Sequence, residues 1–229
     1  MAATTYFTPA SLKLMREFAR NNNREWFNEH KARWEAVVRD PFLHLIGDLA
    51  TPLAKISKHF RADPRPHGGS MFRIYRDTRF AKDKTPYKTW LGARLYHERA
   101  PQVHAPLFYM HIQPGESFAG GGLWHPEPPT LARLREFLAD NPASWKKATR
   151  SKRFLDTFEL GGDSLSRPPQ GFDPQHELIE DLKRKDFVAS RELTDAQITS
   201  TELATLMVES FKGVAPLVDY LCASLDLEF

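Results

Sequence analysis

Cysteine is almost absent. The 229 residues contain one, Cys222, so no disulfide can form within the chain. That agrees with a reducing compartment. No apolar run approaches the roughly 20 residues that a membrane-spanning helix needs. The opening residues, MAATTYFTPASLK, lack the cationic segment followed by an apolar stretch that marks a secretory signal. Net charge is scarce too: 32 Lys+Arg stand against 29 Asp+Glu, and +3 is too little to argue for general nucleic-acid binding. Internal repeats, low-complexity tracts and clear linkers are missing. Together these absences predict a soluble, cytoplasmic protein with no membrane partner. What is present suits a globular chain: 16 Phe and 5 Trp can fill a substantial core, and 17 Pro predict many loops and sharply started helices.

The first sixty residues read as a helical layer, about 8–60. Thr8-Pro9 is an N-cap followed by a first helical residue, with Leu12, Met15 and Phe18 at helical spacing behind it. The Asn21-Asn22-Asn23 run ends that helix and caps the next, over 24–38. Asp40-Pro41 repeats the cap signal, and a third helix follows to Ile56 with Pro52 as a kink or restart. A pattern of period two replaces this over about 70–125. Phe72 and Ile74, then Leu91, Ala93 and Leu95, then Phe108, Met110 and Ile112 alternate with polar or aromatic neighbours, and 117–124 reads as a further strand.

The expected fold is therefore α+β: a mostly antiparallel sheet of about four to six strands packed on N- and C-terminal helices, in one domain spanning 1–229. The sheet's second face would carry Arg73, Tyr75, Arg94, Tyr96, Tyr109, His111 and Gln113. Gly120-Gly121-Gly122 inside a strand pattern predicts a bulge or a close approach by another backbone or a ligand. Beyond 129 the chain predicts helices and loops, a strand near 155–160, a short helix over 176–183 and a strand near 186–190. A capping box at Thr199 and Glu202 would open a long C-terminal helix bent at Pro216.

Charge is concentrated in one place. The stretch 70–89, SMFRIYRDTRFAKDKTPYKT, has Arg73, Arg76, Arg79, Lys82, Lys84 and Lys88 against Asp77 and Asp83. That is a local +4, so the rest of the chain is close to neutral. Guanidinium forks match phosphate and carboxylate oxygens, and ammonium groups add point charge. The candidate ligand-binding residues are Arg73, Arg76, Arg79, Lys84, Tyr87 and Lys88, with the 21–24 helix junction as a wall. The bland alternative is a network in which Asp77, Asp83, Glu25 or Glu29 neutralises these cations.

His111 on the polar face and Asp77 among the arginines are the candidate groups for acid–base chemistry, Asp77 with its pKa depressed by its neighbours. Metal ligation is not expected. No HxH, HExxH or HxxxH pair lies near the sheet, and His97 and His111 should face opposite sides. No GxxxxGK[ST] loop or GxSxG elbow occurs, so no cofactor is named. Cys222, beside Leu221, reads as a buried inert thiol.

Several stretches occur in combination: NNNREWF at 21–27, the 72–88 segment, PGESFAGGGLWHP at 114–126, LSRPPQGF at 165–172 and DLKRKDF at 181–187. The combination resembles the bacterial and fungal family filed as "domain of unknown function 2461", from about Phe7 to the C-terminus. The resemblance implies a compact single domain and supplies no activity, cofactor or catalytic residue. Three functions remain open from the residues: binding of a small phosphorylated or carboxylated ligand, with or without catalysis; a nucleic-acid-binding module using Tyr75, Tyr96 and Tyr109 as stacking groups; and a non-catalytic interaction domain whose basic segment docks an acidic partner or is a structural ion-pair network.

Overall fold

The computed structural model describes residues 4–229. Helix α1 (Pro9–Arg20) begins as its sequence signals. Thr8 Oγ1 accepts from the Ser11 amide, and Ser11 Oγ accepts from the Thr8 amide at 3.1 Å. Asn21 ends α1, and the Asn23 side chain accepts from the Trp26 amide at 2.9 Å to start α2 (Arg24–Trp34).

Asp40-Pro41 does not cap a new helix. The chain passes from α2 through a π-helical turn, Glu35–Arg39, directly into α3 (Asp40–Ile56). Pro41 has no N–H to donate to the preceding turn, and the wider π turn absorbs that defect without breaking the helix. Pro52 likewise lies inside α3.

Six antiparallel strands follow: β1 (Phe60–Arg61), β2 (Leu91–His97), β3 (Leu107–Ile112), β4 (Ser117–Leu123), β5 (Glu159–Gly161) and β6 (Phe187–Leu193), in the order β1-β2-β3-β4-β6-β5. The protein is thus α+β, as the change of period predicts. Helices α4 (Pro128–Asp140) and α5 (Pro142–Thr149) come after β4, then α6 (Lys152–Leu155) before β5. Short α7 (Ile179–Leu182) precedes β6, and α8 (Asp195–Ile198) and α9 (Leu203–Ser224) close the chain.

The structure departs from three further local expectations. The segment 72–74 is not a strand of the sheet; Met71 and Tyr75 make only isolated bridges, to Ala93 and Tyr87. The strand near 155–160 shrinks to β5, because Ser151 caps α6 over Phe154 and Leu155. The capping box belongs to Thr194 and Gln197 at α8, whereas α9 starts without a side-chain cap. Ser/Thr-x-x-Glu/Gln occurs at both places, and only packing chooses between them.

One sheet face is buried by α9, which lies across β4 and against α3. Phe108, Met110, Ile112, Ala119 and Leu95 point into this core. Gly121 faces Val214 and Val218 so closely that a Cβ would stand 3.0 Å from the Val218 methyl. Trp145 on α5 is fully buried, edge-on to Phe187 and Tyr220. Cys222 is buried as well, and burial pushes its thiol up to about 12, which leaves it protonated and unreactive. The opposite face carries Arg94, Tyr96, Tyr109, His111 and Phe118, and on it the site is built.

Candidate functional site

The basic stretch forms a hairpin anchored at the edge of β2. Phe72 N donates to Gly92 O at 2.9 Å and Arg94 N to Ser70 O at 3.0 Å. Higher up, Lys88 N donates to Ile74 O and Arg76 N to Pro86 O. Pro86 can accept but not donate, so the ladder stays ragged and never becomes a regular strand. Asn22 clasps the hairpin to the α1–α2 junction: its Nδ2 donates to Tyr87 O at 2.9 Å and its Oδ1 accepts from Tyr87 N at 3.1 Å.

The hairpin's apex is braced from within. Arg76 donates to Asp83 Oδ2 at 2.5 Å and to the Thr85 hydroxyl. Arg79 donates to both carboxylate oxygens of Asp77, at 3.0 and 2.7 Å. Lys84 Nζ donates to Thr78 O at 2.8 Å. Glu25 and Glu29 take no part in these pairs, so the acids of the hairpin itself do the neutralising.

The Arg79 guanidinium holds the Asp77 carboxyl below its usual range. The Thr85 amide, followed by Arg76, takes Asp83 down to about 2. A depressed folded-state pKa contributes stability that is complete above the ordinary value near 3.8 and lost as pH falls through about 2. The protection factor of the Thr85 amide, its exchange rate relative to an unstructured peptide at the same pH, is therefore expected to fall as pH drops between those two values while core amides stay protected. An unchanged Thr85 protection factor over that window would refute the brace.

Phe72 and Trp90, at the hairpin's base, turn over the open sheet face. Phe72 lies 6.2 Å from Tyr109, and Trp90 lies 4.9 Å from His111. Gly92 permits this convergence, because a Cβ there would stand 2.7 Å from both the Trp90 ring and the Tyr109 hydroxyl. Phe118 stacks on the other side of His111 at 4.7 Å. The Lys88 ammonium lies 5.5 Å from the Phe72 ring centre and 5.3 Å from that of Trp90, and donates to Arg73 O at 2.8 Å. Burial, then the Arg73 charge, lowers its pKa.

Two clefts meet at Trp90. The first, about 590 Å³, is lined by Asn22, Arg76, Asp83, Tyr87 and Lys88 among others. The second, about 570 Å³, is lined by His111, Gln113, Glu116, Phe118 and Glu192.

Of the residues expected from sequence, Arg76, Asp77, Tyr87 and Lys88 line the first cleft. Arg73 is exposed beside Lys88, while Arg79 and Lys84 point to the apex. Tyr87 is 4% exposed, its ring wedged against Phe18 and Phe27, and burial raises its pKa. His111 lies in the second cleft, apart from the cations. Its Nδ1 is 3.2 Å from the Tyr109 hydroxyl and its Nε2 is 3.2 Å from Gln113 Oε1. Burial lowers its pKa, which keeps the imidazole neutral with both nitrogens engaged. His97 lies on the other face, buried, with Nε2 on Glu228 O.

Sequence reading missed Trp90, Phe72 and Phe118 as site residues. Aromatic side chains flanking Lys88 were the available signal, but their convergence needs the turn over the sheet. No group of three or more His, Cys, Asp or Glu side chains that could hold a metal occurs among the described residues. Nor, among them, is any helix long and apolar enough to cross a membrane.

Fold and site together define an α+β protein with a six-stranded antiparallel sheet, one face packed on helices and the other overhung by a basic, aromatic-based hairpin. The chain belongs to the family described as "Conserved hypothetical protein (DUF2461)", whose model matches residues 10–220. No curated protein and no solved structure matches it in the same comparisons.

Proposed function

We propose that the protein binds a small phosphorylated or carboxylated molecule at the first cleft, with Lys88 and Arg73 as the anion-binding pair. One observation carries this reading. Lys88 is half-buried between two aromatic rings, next to a second cation, and donates only to a carbonyl oxygen. Taking an ammonium from water without a carboxylate is unfavourable, and its remaining N–H donors are free for an anion. Arg76 lines the same cleft but is already satisfied by Asp83 and Thr85, so its part is to shape the wall.

The test is a thermal-shift panel of phosphate, sugar phosphates, nucleotides and polycarboxylates at low and moderate salt. Binding to the native state raises the melting temperature by mass action. A rise with one class of small anion, absent in Lys88→Ala, is the expected result. No rise with any of them would sink the reading.

A second reading has its own observation. Phe80 at the apex is 96% exposed, with the Arg79 guanidinium 6.0 Å from its ring centre, and Tyr75 is 56% exposed on the same hairpin. Exposed aromatics among cations suit stacking on single-stranded nucleic acid. That reading expects oligonucleotide affinity to fall steeply with salt and to weaken about tenfold in Phe80→Ala, since base stacking contributes about 1–3 kcal/mol. Oligonucleotide binding that Phe80→Ala leaves unchanged would exclude it.

A further inference from the structure

At the far end of β4 from the second cleft lies a constellation that the anion site does not use. The cleft takes Ser117 and Phe118 at the start of the strand. His125 follows its last residue, Leu123, by two positions, roughly 20 Å along a strand that rises about 3.3 Å per residue. His125 belongs to the LWHP end of the 114–126 motif and Asp186 to the 181–187 motif, and the fold joins them.

Asp186 is 0% exposed. Its Oδ1 accepts from the His125 amide at 2.7 Å and lies 2.9 Å from His125 Nδ1, and its Oδ2 accepts from the Asp163 amide at 2.8 Å. A carboxylate held by two backbone amides is an acceptor, so the proton on this side of the imidazole resides on Nδ1. In the neutral ring Nε2 is then a bare acceptor. The His125 side chain is 60% exposed, and its backbone has φ +49, a left-handed conformation that residues with a Cβ seldom adopt. Trp124, 53% exposed, places its ring 4.4 Å from the imidazole. A buried acid, an oriented exposed imidazole, backbone strain and a bare indole thus coincide.

We propose that His125 and Asp186 form a second reactive site, in which Nε2 of His125 is a general base toward a hydroxyl group of a ligand, and Trp124 is the platform for that ligand's flat or apolar part. The proton passes from the oxygen to Nε2, and the resulting imidazolium faces the buried Asp186 carboxylate across Nδ1–H. Asp186 is a positioning residue: it fixes the tautomer and the ring plane.

Two measurements on the unaltered protein decide this. Long-range 15N NMR of histidine-labelled protein at mildly basic pH is expected to show His125 as the Nδ1–H tautomer. Carbethoxylation by diethyl pyrocarbonate at the same pH, mapped by peptide mass, is expected to reach His125 faster than the exposed His67 and His104, because the Asp186 carboxylate on Nδ1–H raises the nucleophilicity of Nε2. Asp186→Asn should remove that advantage and mix the tautomers. If it fails to fold, the first two measurements stand by themselves. An Nε2–H tautomer, or labelling no faster than at His67 and His104, reduces the pair to a structural tie and overturns the proposal.

Discussion

Gly122→Ala is expected to destabilise the protein by about 2–6 kcal/mol through backbone strain and overpacking together. Gly122 has φ +137, and a Cβ placed on it would stand 2.1 Å from the Phe187 carbonyl oxygen and 2.7 Å from Val188 Cα. Both are backbone atoms of β6, the strand paired with β4 at this position, so no side-chain rotation relieves the clash. β4 lies between β3 and β6, and any retreat from β6 disturbs the β3 ladder as well.

Strained φ contributes a cost of about 1–3 kcal/mol and backbone overpacking a similar amount, against a total stability of about 5–15 kcal/mol. Gly161→Ala on edge strand β5 is the control: its Cβ would meet nothing nearer than the Val188 methyl at 3.9 Å. Urea unfolding of both variants is the measurement. A Gly122→Ala midpoint equal to that of Gly161→Ala would show that the two strands do not approach as closely as described.

Lys88→Ala is expected to weaken small-anion binding by about 10- to 100-fold, while Arg79→Ala changes it by less than about twofold. A charge-assisted hydrogen bond contributes about 1.5–3 kcal/mol, and about 1.4 kcal/mol is a factor of ten. Lys88 lines the first cleft and has no carboxylate to neutralise it, whereas Arg79 is fully exposed in its pair with Asp77 and points to the apex. Pure long-range attraction would treat the two cations alike, since both removals lower the hairpin's charge by one. Calorimetric titration of the anion that the thermal panel selects separates the two cases. Equal losses in both variants would replace a built site by a diffuse basic surface.

The stability of Lys88→Ala bears on the same point. Its removal takes a partly desolvated ammonium from between Phe72 and Trp90, which relieves an unneutralised charge. Cation–ring attraction of about 0.5–2 kcal/mol opposes that relief, so the melting temperature should move little while binding falls.

Much of this was written locally. Thr8-Pro9 and Asn23 start their helices because a side-chain oxygen within three residues meets an unpaired amide, with both partners adjacent in the chain. The alternation through Phe108, Met110 and Ile112 assigns one face of β3 to the core and puts Tyr109 and His111 on the other. The +4 stretch and the acids within it were also legible, and so were the possible pairings Arg79–Asp77 and Arg76–Asp83, since both partners lie within seven residues.

Tertiary structure decided the rest. Phe72 and Ile74 alternate like a strand, yet Pro86, opposite Arg76, has no N–H to continue the ladder, and the segment becomes a ragged hairpin instead. Thr199 and Glu202 satisfy a capping pattern as well as Thr194 and Gln197 do, but packing sets the start of α9. The separation of His111 from the cations, the meeting of two clefts at Trp90 and the junction of His125 with Asp186 span from about twenty to more than sixty positions of chain. Periodicity and spacing report neighbours within a turn or a strand. Which loop folds over which face depends on burial summed over the whole core, and only the folded chain expresses that sum.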